Sequence, residues 1–522
     1  MNINPTLLED GYKVDHRRQY VPETVMVHAN RTARKSRVPG VTHTVTFGIQ
    51  AYILETLIEI WNEKFFKADI NQITDEFMEE MVDYTLNPDF AKAIGIDHWK
   101  ALHKLGYLPL HIKALPEGTL CPIRVPDCTI TSTHDDFYWI TNIIETDMQS
   151  ETWLPTTSAT TAYQYRKIFD YWAKKTGGDP EFIPFQGHDF SYRGMAGRHA
   201  AMMSGGGHLT SFCGTDTIPA IKWLKKNYKA DTKDGIIGCS VFATEHAVMC
   251  VSTGFYILKN GLTWEKYGEA EFEVFKRLIT ELYPTGFVSI VSDTWDLWKV
   301  LLDYVVRLKD VILARDGKVI IRPDSGDPET ILCGVRLAEN NPRTDDPTPA
   351  DKGVVKLLWD TFGGTEVTGG DGKKYKLLDS HIGCIYGDSI TTERAWNICE
   401  HLADNGFCST NWVAGIGSFT YQYVTRDTFG FAQKATYAEV ILDGKRHSID
   451  VFKDPVTDDG TKKSARGLVG VFKNEQGELY LKDQLTWEEE ATGLLQTVFL
   501  NGKVYNVQSL KEIRERIISQ SI

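Results

Sequence analysis

The nine cysteines are scattered, and no two show CxxC spacing; the closest are Cys121 and Cys128. That excludes a zinc ribbon and argues against a disulfide framework, leaving free thiols in a reducing compartment as the expectation. HExxH is missing too, which removes the zincin class. No stretch reaches the roughly 18 consecutive apolar residues a membrane span needs. The opening MNINPTLLEDGYKVDHRRQY has no apolar core and is acidic early, unlike a secretory signal, so a cytoplasmic protein with no membrane partner is expected. Positive charge is in short supply, with 57 Lys and Arg against 70 Asp and Glu and a formal net charge of −13. A surface of that sign repels phosphate backbones, so nucleic acid is not the expected partner. An anionic substrate would have to be held by a local cluster of Arg, Lys and backbone N–H groups. No short repeat or low-complexity tract is visible.

What is present favours a large folded protein. Apolar residues make up 42% of the 522 and aromatic residues 11%, including 13 Trp and 22 Tyr, which suits two or three domains with substantial cores. The middle of the chain has a rhythm in which apolar runs end in polar or glycine-bearing tips, often followed by amphipathic segments. HLTSFCGTDT leads to Asp216, GCSVFATEH to His246 and FVSIVSD to Asp293; KVIIRPDSGD carries Arg322 and Asp324, IGCIYGD ends at Asp388, and NWVAGIGS carries Gly415 and Gly417. Alternating apolar runs and helical periods predict βα units, whose working residues gather at the C-terminal strand ends. Six such tips in series predict the rim of a barrel rather than an open sheet.

The flanks read differently. Residues 1–150 mix strand-like pieces (VTHTVTFGI, TLCPIRV, CTITSTH) with helical ones (AYILETLIEIWNEKFF), and from Lys434 onward the turn-punctuated pattern predicts antiparallel strands. The predicted class is α/β: a (β/α) barrel over 151–433, and a second mixed α+β domain built from 1–150 and 434–522. Residues 340–374, rich in Pro, Gly, Asp and Thr, read as a surface excursion, and 454–466 as a second.

RPDSGDP (322–328) is the sharpest local signal. Arg322 offers a planar fork for phosphate, Asp324 an acceptor for ribose hydroxyls or a Mg²⁺-bound water, and Ser325 and Gly326 a turn that can aim N–H groups at an anion. The competing interpretation is an Arg–Asp salt bridge closing a loop. YGDS (386–389) puts Gly387 and Asp388 at another tip, GIGS (415–418) is a glycine turn able to hold phosphate, and Arg426 follows eight residues after Ser418. HDFSYRG (188–194) pairs Phe190 with Arg193, a face and a guanidinium suited to a flat polar heteroaromatic ring, though a core Phe beside a surface Arg explains the pair as well. ATEH offers Glu245 and His246; a lone His is more often structural, but this one sits at a strand tip among other polar tips.

Taken together, YKVDHRRQY, HDFSYRG, GTDT, SVFATEH, VSDTWD, IIRPDSGDP, GDS, VTRD and VFKDP resemble the nicotinamide phosphoribosyltransferase family nearly end to end, from EDGYKVDHRRQY (9–20) to VFLNGKV (498–504). The resemblance implies a type II phosphoribosyltransferase barrel. It also implies a homodimer with shared active sites, nicotinamide and phosphoribosyl pyrophosphate as substrates, ATP as an activating co-substrate, and Mg²⁺ bound through pyrophosphate rather than by the protein. By matching motif, Phe190 and the other subunit's Tyr12 would sandwich the nicotinamide ring. Asp216 would accept from the carboxamide, with Ser240 and Arg193 nearby. His246 matches a histidine phosphorylated by ATP, and Asp293 would orient it or the ring. Arg322 and Asp324 would hold the phosphoribosyl group. Gly387, Asp388, Gly417, Ser418 and Arg426 would bind the product's ribose and phosphate, and Arg34, Lys434 and Lys453 are phosphate candidates at the interface. Two departures stand out: 342–374 is longer than the family usually carries, and GIGSF (415–419) replaces a glycine-richer loop, putting Phe419 where the family is small. The rivals are a nicotinate phosphoribosyltransferase, which the charge of Asp216 disfavours, and a non-catalytic binding protein, which would be expected to lose its charged tips.

Overall fold

Seven short parallel strands form the centre of the chain's middle segment: β1 (Gly187–Asp189), β2 (Gly214–Thr215), β3 (Phe242–Ala243), β4 (Gly286–Val291), β5 (Gly317–Arg322), β6 (Ile382–Tyr386) and β7 (Trp412–Ile416). They come from a computed structural model that describes residues 3–336, 346–387, 389–453, 457 and 464–520. Their spatial order is β2-β1-β7-β6-β5-β4-β3. A parallel bridge between Gly214 and Cys239 joins the two ends, with Thr215 N–H donating to the Cys239 carbonyl at 2.9 Å and Cys239 N–H to that of Cys213 at 2.7 Å. The ring is therefore closed, as the series of polar tips predicts.

Register brings the tips to one end. Arg322 pairs with Val291, Tyr386 with Ala414, Ile416 with Asp189, and Asp189 with Thr215. On β5 the two-residue period divides the side chains: Val319 and Ile321 are fully buried, while Lys318, Ile320 and Arg322 line the cavity inside the ring. Helices follow the strands, among them α1 (Arg198–His208) after β1, α2 (His246–Lys259) after β3, α3 (Pro328–Cys333) and α4 (Pro349–Phe362) after β5, and α5 (Thr392–Asp404) after β6. The stretch read as a surface excursion is partly built in. Its VVKLLW run forms α4, with a capping box at Thr348 and Asp351 and buried Val354, Val355, Leu357 and Leu358; Gly364–Thr368 and Lys374–Leu378 then pair as a hairpin. An apolar 3.6-residue period inside a Pro- and Gly-rich stretch still has to bury its face. Residues 337–345, and most of the excursion at 454–466, lie outside the described residues.

Contacts divide the chain into two compact units: Thr161–Ile221 with Ile236–Tyr423, which holds the barrel, and Met1–Thr160 with Lys222–Gly235 and Val424–Ile522. The second is built on an antiparallel sheet in which Phe431–Leu442 pairs with Lys445–Asp450 and Thr24–Ala33, the latter pairs with Pro126–Ser132, and Leu110–Ala114 and Gln496–Leu500 follow. Its core is rich in rings, including Trp61, Phe65, Phe77, Trp99 and Trp139. Residues 222–235 join it through Glu55, which accepts from Trp223 Nε1 at 3.1 Å and Asn227 Nδ2 at 3.0 Å.

Candidate active site

At the C-terminal end of the barrel, Phe190 lies on a floor of backbone. Its N–H donates to the Ile416 carbonyl at 2.9 Å, extending the β1–β7 pairing by one step. A Cβ on Gly415 would stand 2.5 Å from Phe190 Cδ2 and 2.6 Å from Gly387 Cα; one on Gly387 would stand 3.3 Å from both Phe190 and Asp324 Oδ1. Glycine is needed here for space, and the consequence is that Phe190, Asp324, Gly387 and Gly415 share one spot. Replacing Gly415 by Ala should overpack it, destabilising the protein by about 1–3 kcal/mol and tilting the Phe190 ring. Thermal melting and the KM for a pyridine substrate would report both, and unchanged values would show that the ring is not seated as described.

Asp216 follows β2 directly. Its Oδ1 accepts from His188 Nε2 at 3.0 Å and Ser240 Oγ at 2.6 Å. Burial pushes its carboxyl upward, but hydrogen bonding and charge from His188, then Ser240, and the nearby Arg322 outweigh that and hold it below the ordinary carboxylate range. Asp216 is thus an anion and an acceptor only. Phe190, Tyr192, Arg193 and Asp216 border one recess.

The second cluster joins three tips. Asp293, just past β4, accepts from His246 Nε2 at 3.2 Å through Oδ1, and through Oδ2 from Asp324 N–H at 2.8 Å and Ser325 Oγ at 2.6 Å. Burial raises this carboxyl as well, and the donors Ser325, Asp324 N–H and His246 together bring it below its usual value. A carboxylate fixes Nε2 as the protonated nitrogen, so the lone pair of His246 sits on Nδ1. His246 also begins α2, where the helix N-terminus favours added negative charge.

Arg322 ends β5 with its Nε buried and without a partner among the described residues. It borders a cavity of about 590 Å³ along the barrel interior, with His188, Phe190, Asp216 and Ser240 at one end and Asp179, Glu181 and Lys318 also in its wall. A cavity of this size suits a small molecule. Ser418 packs against Gly194, where a Cβ would meet Ser418 Oγ at 1.9 Å, so Arg193 and the GIGS turn are neighbours; nothing lies within 4 Å of a Cβ on Gly417. Phe419 turns outward and stacks on Tyr423 at 5.7 Å, leaving the turn uncovered on that side. Asp388 lies outside the described residues. Among the described residues no group of three or more His, Cys, Asp or Glu side chains gathers as a metal-binding cluster.

The remaining candidates belong to the other unit. Tyr12 is 66% exposed, and its hydroxyl is pushed up by burial and by Glu145 and Asp10 and eased down by Arg426. Glu145 also pairs with Lys434 at 3.7 Å, Arg34 Nε donates to the Gly430 carbonyl at 3.1 Å, and Arg426 pairs with Asp427 at 3.4 Å. Tyr12 and Lys434 thus both lie near Glu145, with Arg426 near Tyr12, whereas the backbone of Lys453 donates to Ser464 Oγ at 2.9 Å.

Two side chains of the site carry roles that the sequence pattern does not single out. His188 shares a face with Phe190 by two-residue spacing on the strand, with Asp189 turned the other way, toward the helix Arg198–His208, to accept from Ser191 and Thr215. The turn at Ser325 and Gly326 predicts a backbone role for Ser325, whereas its hydroxyl holds Asp293.

The sequence profile of the nicotinate phosphoribosyltransferase (NAPRTase) family matches residues 185–503. The chain is 47% identical over 529 aligned residues to the nicotinamide phosphoribosyltransferase of Acinetobacter baylyi, covering 99% of this chain and 98% of that one. It is 32% identical to that of Mycoplasma pneumoniae, covering 88% and 93%. Among solved structures, the nicotinate-nucleotide pyrophosphorylase of Pyrococcus furiosus superposes with a TM-score of 0.54 at 13% identity over 99% of this chain and 95% of that one, a likeness of fold. The closed parallel ring, the charged tips gathered at its C-terminal end and the extent of these matches lead to one conclusion: the chain belongs to the nicotinate phosphoribosyltransferase family of pentosyltransferases.

Proposed function

We propose that this enzyme is a nicotinamide phosphoribosyltransferase of pyridine-nucleotide salvage, joining nicotinamide to the phosphoribosyl group of phosphoribosyl pyrophosphate. The observation that carries the choice of amide over acid is Asp216: an ionised, acceptor-only carboxylate beside Phe190 accepts an N–H and repels a second carboxylate. The pyridine nitrogen attacks C1 of the sugar while the C1–O bond to pyrophosphate breaks, and the electron pair leaves with pyrophosphate. The nucleophile already carries its lone pair, so catalysis comes from holding the ring on Phe190 and from stabilising charge on the sugar and leaving group. Arg322 is suited to the phosphate oxygens. Asp324, whose side chain has no hydrogen-bond or ion-pair partner among the described residues, is suited to ribose hydroxyls or to waters of a pyrophosphate-bound Mg²⁺. Bound Mg²⁺ would neutralise leaving-group charge. Gly387, Asp388, Gly417, Ser418 and Arg426 are assigned to the product's ribose and phosphate.

His246 is assigned the phosphoryl group of ATP. Attack by Nδ1 on the γ-phosphorus breaks the bond to the bridging oxygen and releases ADP, while Asp293 holds the Nε2 proton and balances the positive ring. His246→Ala should abolish stimulation by ATP and leave a slow basal reaction; full stimulation in that variant would remove His246 from the mechanism.

The assembly proposed is a homodimer in which Tyr12 of a second copy closes over the ring opposite Phe190, with Arg34, Lys434 and Lys453 near the bound phosphates. It is supported by α2, which exposes Val248, Val251, Phe255 and Leu258, the last at 83%, at helical spacing along one side. The nine cysteines are thiols rather than disulfides, most of them buried, which suits a cytoplasmic setting. No helix among the described residues is long and apolar enough to cross a membrane. Incubating the purified enzyme with phosphoribosyl pyrophosphate and either nicotinamide or nicotinic acid tests the reading. The amide mononucleotide is expected; preference for the acid would make the chain a nicotinate enzyme, and no product with either would leave a binding protein.

A further inference from the structure

We infer that His188 is a positioning residue for amide selectivity: with the Ser240 hydroxyl it pins one oxygen of Asp216, so that the other alone is presented to the carboxamide. The inference rests on the assignment of Asp216 as the amide acceptor. A free aspartate can rotate about its terminal bond and offer either oxygen in several directions. Here Oδ1 takes two donors, His188 Nε2 at 3.0 Å and Ser240 Oγ at 2.6 Å, while Oδ2 accepts from no described residue. Because the carboxylate can only accept, the imidazole must carry its proton on Nε2.

His188 is itself fixed. It is 8% exposed, its ring stands 4.7 Å from that of Phe190, and the Gly214 backbone runs along its other edge, where a Cβ would come within 2.8 Å of Nδ1. It therefore ties the aromatic face that holds the pyridine to the carboxylate that reads its substituent. A side chain at 188 that cannot reach Asp216 should leave the carboxylate present but free to turn, weakening the amide contact and the repulsion of the acid together.

The experiment compares kcat/KM for nicotinamide and nicotinic acid in the full-length enzyme and four variants. His188→Asn places its amide where Nδ1 stands, short of Asp216, and should lower the amide-to-acid ratio roughly tenfold, chiefly through the KM for nicotinamide. His188→Gln, whose amide can occupy the place of Nε2, should recover the ratio to within about threefold. Ser240→Ala, at an exposed position, should fall between them. Asp216→Asn marks the full loss. If Asp216→Asn collapses the ratio while His188→Asn leaves it at the wild-type value, the role of His188 is overturned and that of Asp216 stands. If Asp216→Asn itself changes nothing, the assignment of Asp216 fails and this inference with it. Should the His188 variants not fold, Ser240→Ala decides, and an unchanged ratio there overturns the clamp.

Discussion

Arg322→Ala should reduce kcat/KM for phosphoribosyl pyrophosphate by on the order of 1,000-fold, as removal of a preorganised cation does where phosphate charge develops. Arg322 closes β5 on the face that points into the barrel, and its Nε is buried with no partner among the described residues. Desolvating part of a guanidinium without a partner is unfavourable, so a residue held in this way is set for an anion that arrives later. Arg322→Lys should recover only part of the loss, because an ammonium keeps the charge and loses the planar fork. The strand is anchored by Val319 and Ile321 rather than by Arg322, so melting temperature should change little. A loss below tenfold in the alanine variant, with folding intact, would take Arg322 out of the phosphate site.

Asp216→Asn should lower the preference for nicotinamide over nicotinic acid by about 100-fold, equivalent to roughly 2.7 kcal/mol. Two effects add. The charge that repels the acid is removed; at about 4 Å and an effective dielectric near 20, like charges oppose each other by about 4 kcal/mol before screening. In addition, His188 and Ser240 are both donors toward Oδ1, so they should hold the carbonyl oxygen of an asparagine on their side and turn its NH₂ toward the ligand. An NH₂ suits a carboxylate better than a carboxamide N–H. Kinetics with both substrates at saturating phosphoribosyl pyrophosphate measures the ratio, and an unchanged value would refute the electrostatic account.

Some of this site could be read directly from the chain. IIRPDSGD shows strand, arginine and turn in eight residues, because a two-residue period and a glycine with positive φ at Gly326 are local matters. The series of polar tips was legible for the same reason, each being the end of a short apolar run. The partners of those tips were not. Asp293 lies 47 positions from His246 and 32 from Ser325, yet one carboxylate serves both. Asp216 and His188 are 28 apart and meet only because β1 and β2 are neighbours in the ring.

The sequence by itself determined the alternation of elements, the fold class and the identity of the charged tips, since hydrophobic period, turn residues and side-chain chemistry act over a few positions. Only the tertiary structure decided where the ring closes, between Gly214 and Cys239, that Lys222–Gly235 packs with the terminal unit, and that Asp216 is held by His188. The physical reason is that closure and pairing depend on register between segments far apart in the chain, and a hydrogen bond forms only where packing has already brought donor and acceptor within about 3 Å.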